Sequence, residues 1–427
     1  MTHYALKFDD KELFFEYDAS NTSVFLPNET EFKSNPADLI QNALLAPLGL
    51  DYFDNNVQLS GKKIAIAIND QTRPLPHAQI LPALLEFLIG KGAENDLITF
   101  YIATGTHRKL NEEEILRVLP GNLSKKYRVH CHQCDDSENL SYLGTTQQGT
   151  PVYVNREYYQ SDIKIVVGSI EPHHFMGFSG GMKTAAIGLT GRETIQRNHS
   201  MLPDPNARMG LYNDNPMRMD VEEIGRMIGV QCALNVILDD NKRIIHAFWG
   251  DPQRVMQAGI PLSLQACQLK VPQEACQFDL VIASAGGFPK DINLYQSQKA
   301  LTNSCLFSKN GGVIILAAGC RDGAGNDKFA QYMQGKTSWQ QVLDDFPARP
   351  FEIGPHKAYQ LAQQVKDHTI ILVSQMAPEE VRKYLLIPAG DMQSALQLAA
   401  GFLPQDYRTA ILPYATHSMP ILPREGK

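Results

Sequence analysis

The chain has 427 residues, about three times the roughly 150 that share one hydrophobic core, so two domains are expected. Apolar residues make up 43% and charged residues 20%, a balance that excludes a disordered chain and supplies enough apolar surface for large cores. The 39 basic and 46 acidic residues give a formal charge of -7 without a basic block, so nothing drives binding to nucleic acid or acidic lipid by counterion release.

Met1 to Asp10 holds no apolar stretch of signal-peptide length, and no window reaches about 18 consecutive apolar residues. A cytoplasmic protein is expected. Seven cysteines in so long a chain are an odd, sparse set, which reads as reduced thiols rather than a disulfide framework.

From Gly61 onward, short β-branched runs alternate with amphipathic ones, the pattern of βα units around a mostly parallel sheet. Lys63 to Ile68 reads as a buried strand, His77 to Ile89 as a helix and Leu97 to Ala103 as the next strand. Asn111 with Glu114 three residues on predicts a capping box opening a helix to Leu119. Ile163 to Gly168 is another strand, feeding a glycine-rich loop from Pro172 to Lys183. Asn215-Pro216 and Asp251-Pro252 each set a capping side chain before a proline at the first helical position. Between them, Val230 to Leu238 and Arg243 to Trp249 read as a hairpin turning at Asp239 to Lys242. A second cycle follows Val271-Pro272: strand Leu280 to Ala283, loop Ser284 to Lys290, a helix capped by Asp291, and strand Gly312 to Ala317. The fold class is therefore α/β in two domains, each a mostly parallel sheet flanked by helices. The boundary is expected near Leu269 to Gln277, giving domains of residues 1–270 and 271–404, with the tail 405–427 crossing back to the first.

Ligands of open α/β sheets bind beyond the carboxyl ends of the strands. The polar clusters fall there: Asn69 to Arg73, Gly105 to Arg108, Glu171 to His174, and Gly286 to Lys290, which one cleft between domains would collect. Gly177-Phe-Ser-Gly-Gly-Met-Lys183 is close to a phosphate-binding loop, but Met182 stands where the wrapping glycine is required, so an anionic ligand fits better than nucleotide hydrolysis. His130-Cys-His-Gln-Cys134 lacks a second ligand pair and reads as a strand-end loop with incidental cysteines. A lone histidine is usually structural. His107 and His173 each end a parallel strand beside glycines, however, so two imidazoles facing one pocket would suit inversion of a carbon centre. His199, closing the Arg192 to His199 segment, is a third group or a metal ligand. In the loop closed by Pro74, Asp70 and Arg73 flank Thr72; Arg73 could grip a carboxylate, or the two could be an ordinary surface pair. Tyr295, Gln296 and Lys299 share a helix face.

Taken together, Asp70-Gln-Thr-Arg73-Pro, Gly105-Thr-His-Arg108, Pro172-His173 with the glycine loop to Lys183, His199, and Pro289-Lys-Asp-Ile-Asn-Leu-Tyr-Gln-Ser-Gln-Lys299 resemble the lactate racemase family in order and spacing. The resemblance implies a racemase or epimerase of a 2-hydroxy acid working through a nickel-pincer nucleotide, a pyridinium-derived group made by separate cofactor-synthesis proteins, with apo forms occurring. It implies that Lys183 carries that group through a thioamide and so adjoins the nickel, that His199 completes nickel coordination, and that Asp70, Gln71, Thr72 and Arg73 contact the cofactor. His107 and His173 are then the acid/base pair; Arg73, Tyr295, Gln296 and Lys299 contact substrate; and cofactor and catalysis belong to residues 1–270. Hydride removal from the α-carbon leaves a stable 2-keto acid, whereas proton removal beside a carboxylate does not stabilise its carbanion, which is why an electrophilic cofactor is needed. Gly354 to Lys357 sets basic groups where a lactate enzyme would carry an aromatic wall, favouring a longer acid or one with a second carboxylate; His174 has no family role. Two other readings stand beside this one: a non-catalytic carrier of the same cofactor, and a nucleotide-phosphate hydrolase using the glycine loop.

Overall fold

Strands without polar alternation are covered on both faces, and IAIAIN is such a run: Ile64–Asn69 is buried along all but its last residue. In the computed structural model, which describes residues 1–18, 20–27, 35–49, 59–73, 75–239, 241–272 and 275–421, this strand is central to a six-stranded sheet. The order is Ile244–Gly250, Cys232–Leu238, Ile163–Ser169, Ile64–Asn69, Ile98–Ala103, Arg128–Cys131. All neighbours are parallel except the Ile244–Gly250 edge, which runs antiparallel to Cys232–Leu238. His77–Gly90 lays Ile80, Leu81, Leu84, Leu85 and Leu88 onto the sheet's core, and the Asn111 capping box opens Glu112–Val118 as its spacing demands. The chain steps outward from Ile64–Asn69 and then returns to add Ile163–Ser169 on that strand's other side. Between those two strands the order reverses, the place where open α/β sheets take their ligands.

The second sheet is wholly parallel, in the order Ile387–Ala389, Thr369–Val373, Ser308–Ala317, Phe278–Ser284, Thr409–Leu412, Thr22–Val24. It reverses between Phe278–Ser284 and Thr409–Leu412. The antiparallel hairpin Thr2–Phe8 with Lys11–Tyr17 buries Leu6, Phe8 and Phe15 against Leu280, Ile282 and Val313 in that sheet's core.

The chain thus divides into an inserted unit, Thr30–Ala266, and a flanking unit, Met1–Glu29 with Cys267–Lys427. This corrects the expected division in two places. The first 29 residues join the later sheet, because the hairpin's apolar face and the Thr22–Val24 strand are buried there. The tail does not cross back: Thr409–Leu412 is an interior strand paired with Phe278–Ser284, and Met419–Ile421 pairs with Gln268–Pro272. A third correction concerns a cap. Asn293, not Asp291, caps Leu294–Cys305, its side chain accepting from the Gln296 N–H at 2.9 Å. The fully buried Asp291 instead accepts from the backbone N–H groups of Asp9 at 2.7 Å and Gly319 at 2.9 Å. Pro74, Asp240 in the hairpin turn, residues 273–274 at the boundary and 422–427 of the tail lie outside the described residues. None of the seven cysteines is in a disulfide, and among the described residues no helix is long and apolar enough to cross a membrane.

Candidate active site

Three loops leave the carboxyl ends of the inserted sheet's strands beside its reversal point; they carry Arg73, His107 and His173 and lead to Lys183, while His199 ends a later helix. The first follows Ile64–Asn69. Asp70, 3% exposed, accepts from the backbone N–H and hydroxyl of Thr72 at 3.1 and 2.6 Å, and it pairs with Nδ1 of His107 at 2.7 Å. Burial works against its charge, but the bonds from His107 and Thr72 outweigh burial and hold its carboxyl below the usual range. An ionised carboxylate only accepts, so His107 donates from Nδ1 and keeps its lone pair on Nε2. Gln71 turns away from this group: its amide donates to Glu114 at 2.9 Å, which also receives the Arg108 fork. Arg108, with Asn111 and Gln71, holds the Glu114 carboxyl down to about 2. The side chains of Asp70, Gln71 and Thr72 are thus bonded inward, while Arg73 is exposed.

The second loop, Thr104 to Arg108, is tied to the third by the Gly105 N–H, which donates to the Gly188 carbonyl at 3.0 Å. The third folds into a tight hairpin in which Pro172–His173 pairs with Gly177–Phe178. Gly177 cannot be replaced there: φ is +68° and a Cβ would stand 1.9 Å from the Leu211 carbonyl oxygen. The hairpin closes with the Met176 N–H donating to Nδ1 of His173 at 3.3 Å. A backbone N–H only donates, so neutral His173 carries its proton on Nε2, the opposite tautomer to His107. Burial, then the charges of Lys183 and Arg73 and the neighbouring His174 and His199, push His173 well below the ordinary histidine range.

Lys183 opens the short helix Lys183–Ala186. Burial, then Arg73 and Arg218, push its amine well below the usual lysine range, against a smaller opposing pull from Glu171. His199 ends Arg192–His199 with Nδ1 donating to the Ile195 carbonyl at 2.9 Å, which puts the lone pair of the neutral ring on Nε2. Burial, then Lys183, lower it to about 3, so it is neutral at any physiological pH. The Phe175 ring stands between the two imidazoles, 4.6 Å from His173 and 5.7 Å from His199. Arg73, His173, Lys183 and His199 therefore form one electrostatic cluster, and His107 joins it through Asp70, three residues before Arg73. An amine whose charge is disfavoured by burial, a neutral imidazole at His199, and two imidazoles of opposite tautomer can anchor an electrophilic group and exchange protons beside it.

In the flanking unit, Tyr295, Gln296 and Lys299 lie on the helix Leu294–Cys305, with Lys299 exposed and the other two half-buried. Burial raises the Tyr295 phenol to about 12, and the buried Lys357 sets its ammonium 5.7 Å from the centre of that ring. Nδ1 of His356 accepts from the Gly354 N–H at 3.1 Å, its ring 6.2 Å from Tyr295. His130 and His132 pair elsewhere: Nε2 of His132 donates to the Thr190 carbonyl at 3.0 Å, and Asn155 lies 3.2 Å from Nε2 of His130. Met182 fills its position by packing on Gly225, where a Cβ would meet it at 2.4 Å.

The sequence reading missed Arg218, Asp220, Asn198 and Asn235, all fully buried behind the third loop. Their signal was faint. In Pro216–Ile228 the charged residues flank an apolar stripe, the usual mark of a solvated face, and only the helix's place behind a glycine-rich loop hinted otherwise.

Residues 8–210 match the family model of the lactate racemase N-terminal domain, and residues 273–417 that of the lactate racemase C-terminal domain. A lactate racemase of Thermoanaerobacterium thermosaccharolyticum is 31% identical over 383 residues, covering 88% of each chain; one of Lactiplantibacillus plantarum is 29% identical over 388 residues, covering 89% of this chain and 90% of that one. The structure of the lactate racemase apoprotein from Thermoanaerobacterium thermosaccharolyticum superposes with a TM-score of 0.89 at 28% identity, over 99% of this chain and 100% of that one. The chain belongs to the lactate racemase family.

Proposed function

We propose that this protein is a racemase or epimerase of a 2-hydroxy acid, with lactate as the first candidate substrate and a nickel-pincer nucleotide as cofactor. The observation that carries this reading is the cluster of Lys183, His199, His173 and His107 around one sheet reversal, with each imidazole's tautomer fixed by a different bond. The residues fit such a group. Burial and the neighbouring Arg73 disfavour the charge on Lys183, the direction acylation requires, and His199 commits its N–H to the Ile195 carbonyl, so that Nε2 carries the lone pair. The glycine loop approaches closely because a Cβ on Gly181 would stand 2.7 Å from Met256. When bound, the cofactor supplies an acceptor for the α-hydrogen and its electron pair, and returns both to the carbon.

The chain's own residues do the rest. Arg73, exposed at the lip of the cluster, binds the substrate carboxylate as a two-pronged donor. Nε2 of His107 takes the hydroxyl proton, and Asp70 stabilises the imidazolium that forms. The substrate is then a planar 2-keto acid with two equivalent faces. His173 takes up a proton from solvent as His107 releases the one it holds, gives it to the oxygen when the hydrogen returns to the opposite face and is neutral again, and the two histidines exchange roles in the reverse direction. Tyr295, Gln296 and Lys299 bind substrate, and Lys357 beside Tyr295 favours an acid with a second anionic group. The reading includes a cytoplasmic location and loading by cofactor-synthesis proteins.

The test is to incubate cofactor-loaded protein with single enantiomers of lactate, malate and longer 2-hydroxy acids and follow both enantiomers by chiral chromatography. Interconversion of at least one acid is expected. No interconversion with Lys183 fully modified overturns the racemase and leaves the carrier reading.

A further inference from the structure

The helix Pro216–Ile228 buries two opposite charges that do not pair with each other. Arg218 is fully buried, and its guanidinium grips two backbone carbonyls of the glycine loop: Nη1 donates to Phe178 at 3.1 Å and Nη2 to Gly180 at 3.1 Å. Its Nε donates to Glu222 at 2.8 Å, and the Tyr212 ring centre lies 4.9 Å away, with the Tyr212 hydroxyl donating to the same Glu222 oxygen at 3.0 Å. The loop comes this close because residue 181 is glycine. Its φ is +57°, and a Cβ there would stand 2.8 Å from Nη2 of Arg218. From the other side, Asn235 Oδ1 accepts the Gly181 N–H at 2.7 Å.

Two residues further along, the helix points about 200° away, and Asp220, also fully buried, faces the opposite neighbours. It accepts from the hydroxyls of Thr146 at 2.6 Å and Thr150 at 2.9 Å, and from the Asn198 amide at 2.8 Å. The same amide nitrogen donates to the Met217 carbonyl at 3.0 Å. Asn198 immediately precedes His199. One helix therefore holds the approach to Lys183 with one hand and the support of His199 with the other.

We infer that Arg218 and Asp220 are positioning residues, and that the Pro216–Ile228 helix is the jig that sets Lys183 and His199 at a fixed separation. Stability alone does not call for this arrangement. Buried charges are costly to desolvate, and apolar replacements of similar volume are often neutral or better for stability. What the charges add is direction: a planar fork fixes two carbonyls and Glu222 in one rigid geometry, where a lysine's donors share a single rotatable atom, and a carboxylate with three donors fixes the end of a helix.

The inference rests on the proposed roles of Lys183 and His199 as cofactor anchors, so its test separates the two. Arg218→Lys and Asp220→Asn are made in the full chain, and hydrogen–deuterium exchange of the unloaded proteins is read by peptide. Loss of one charge-assisted buried bond is worth about tenfold or more in local opening. Arg218→Lys should speed exchange by that factor at residues 178–183 while leaving 196–200 unchanged, and Asp220→Asn should do the reverse. After coexpression with the cofactor-synthesis proteins, Arg218→Lys should lower the mass adduct on Lys183 by about tenfold. Asp220→Asn should keep the adduct but lose nickel per adduct. Wild-type exchange and wild-type loading in both variants, or the same defect in both, overturns the jig. Absence of any adduct on wild-type Lys183 overturns the functional reading, while the exchange experiment still decides the jig. If either variant does not fold, Tyr212→Phe and Thr150→Val, which each remove one bond from a grip, should give smaller shifts at the same two segments; no shift at either overturns the jig.

Discussion

Each unit's six-stranded sheet reverses beside a strand that feeds the loops singled out above, Ile64–Asn69 in one and Phe278–Ser284 in the other, yet what lies past the strand ends differs. In the inserted unit a specific bond orients each group: Asp70 holds the exposed His107, the Met176 N–H holds His173, the Ile195 carbonyl holds His199, and Arg218 holds the glycine loop. In the flanking unit the helix after Phe278–Ser284 presents an exposed Lys299 and half-buried Tyr295 and Gln296. The proposed function sets the chemistry in the inserted unit, where these bonds fix the hydrogen-bonding direction of three imidazoles, and the grip in the other.

The largest effects that can break this division come from the anchors. Lys183→Ala should abolish racemisation, and His107→Ala or His173→Ala should lower kcat by about 10³-fold while leaving the adduct on Lys183 intact, as peptide mass and chiral assays would read. Full activity of any of them removes the inserted unit's claim to the chemistry. Asp70→Asn is the subtler form. The amide is nearly isosteric but can donate to Nδ1 of His107 and so favour the wrong tautomer, and kcat should fall by about 10²- to 10⁴-fold with little change in KM. A fall in KM-controlled binding alone would mean that Asp70 serves the substrate and not the imidazole.

How far such assignments can be read from sequence depends on where the partner sits. Strands such as Ile64–Asn69 and Ile163–Ser169 and caps such as Asn111 and Asn215 are local statements, and the residues that make them lie within one window. The strand-end positions of His107 and His173 were legible for the same reason. The Asp70–His107 pair was not, because the loop offered Arg73 as a nearer partner for the carboxylate. The Thr2–Phe8 hairpin was lost because its apolar face, Leu6 and Phe8, meets Leu280 and Ile282 more than 270 residues later. Asp291 was taken for a cap because nothing local says that its acceptors are claimed by Asp9 and Gly319. Arg218 and Asp220 were invisible for a related reason: helix periodicity sorts charge to the outside, and only tertiary packing buries both sides of a helix.

Acid sharpens the comparison at an intermediate scale. The inserted unit holds His77 and His132 at about 4, in each case because burial outweighs a hydrogen bond to a backbone carbonyl. Unfolded, both take a proton near pH 6.5. Between those values the unfolded state binds more protons, so stability is intact above pH 6.5 and declines as pH falls towards 4, by on the order of 3 kcal/mol for each imidazole. Urea midpoints measured from pH 7 to pH 4 should drop accordingly, with amides of residues 64–69 and 98–103 losing protection before those of 278–284 and 313–317. His132→Gln, which cannot titrate, should flatten the slope; an unchanged slope would show that His132 is not neutral by burial.

The smallest effects belong to the flanking unit, and they decide whether its helix only grips. Lys299 is exposed on Leu294–Cys305, so Lys299→Ala leaves the core of the fold untouched. Loss of a contact made equally in ground and transition states raises KM and leaves kcat alone. Lys299→Ala and Gln296→Ala should each raise KM about tenfold, the worth of one charge-assisted or one polar bond in a shielded site. Tyr295→Phe should do less, because a phenol held protonated up to about 12 offers only a neutral hydroxyl. If Lys299→Ala instead lowers kcat as His107→Ala does, the lysine acts on the reacting centre, and the separation of chemistry from grip between the two sheets falls with it.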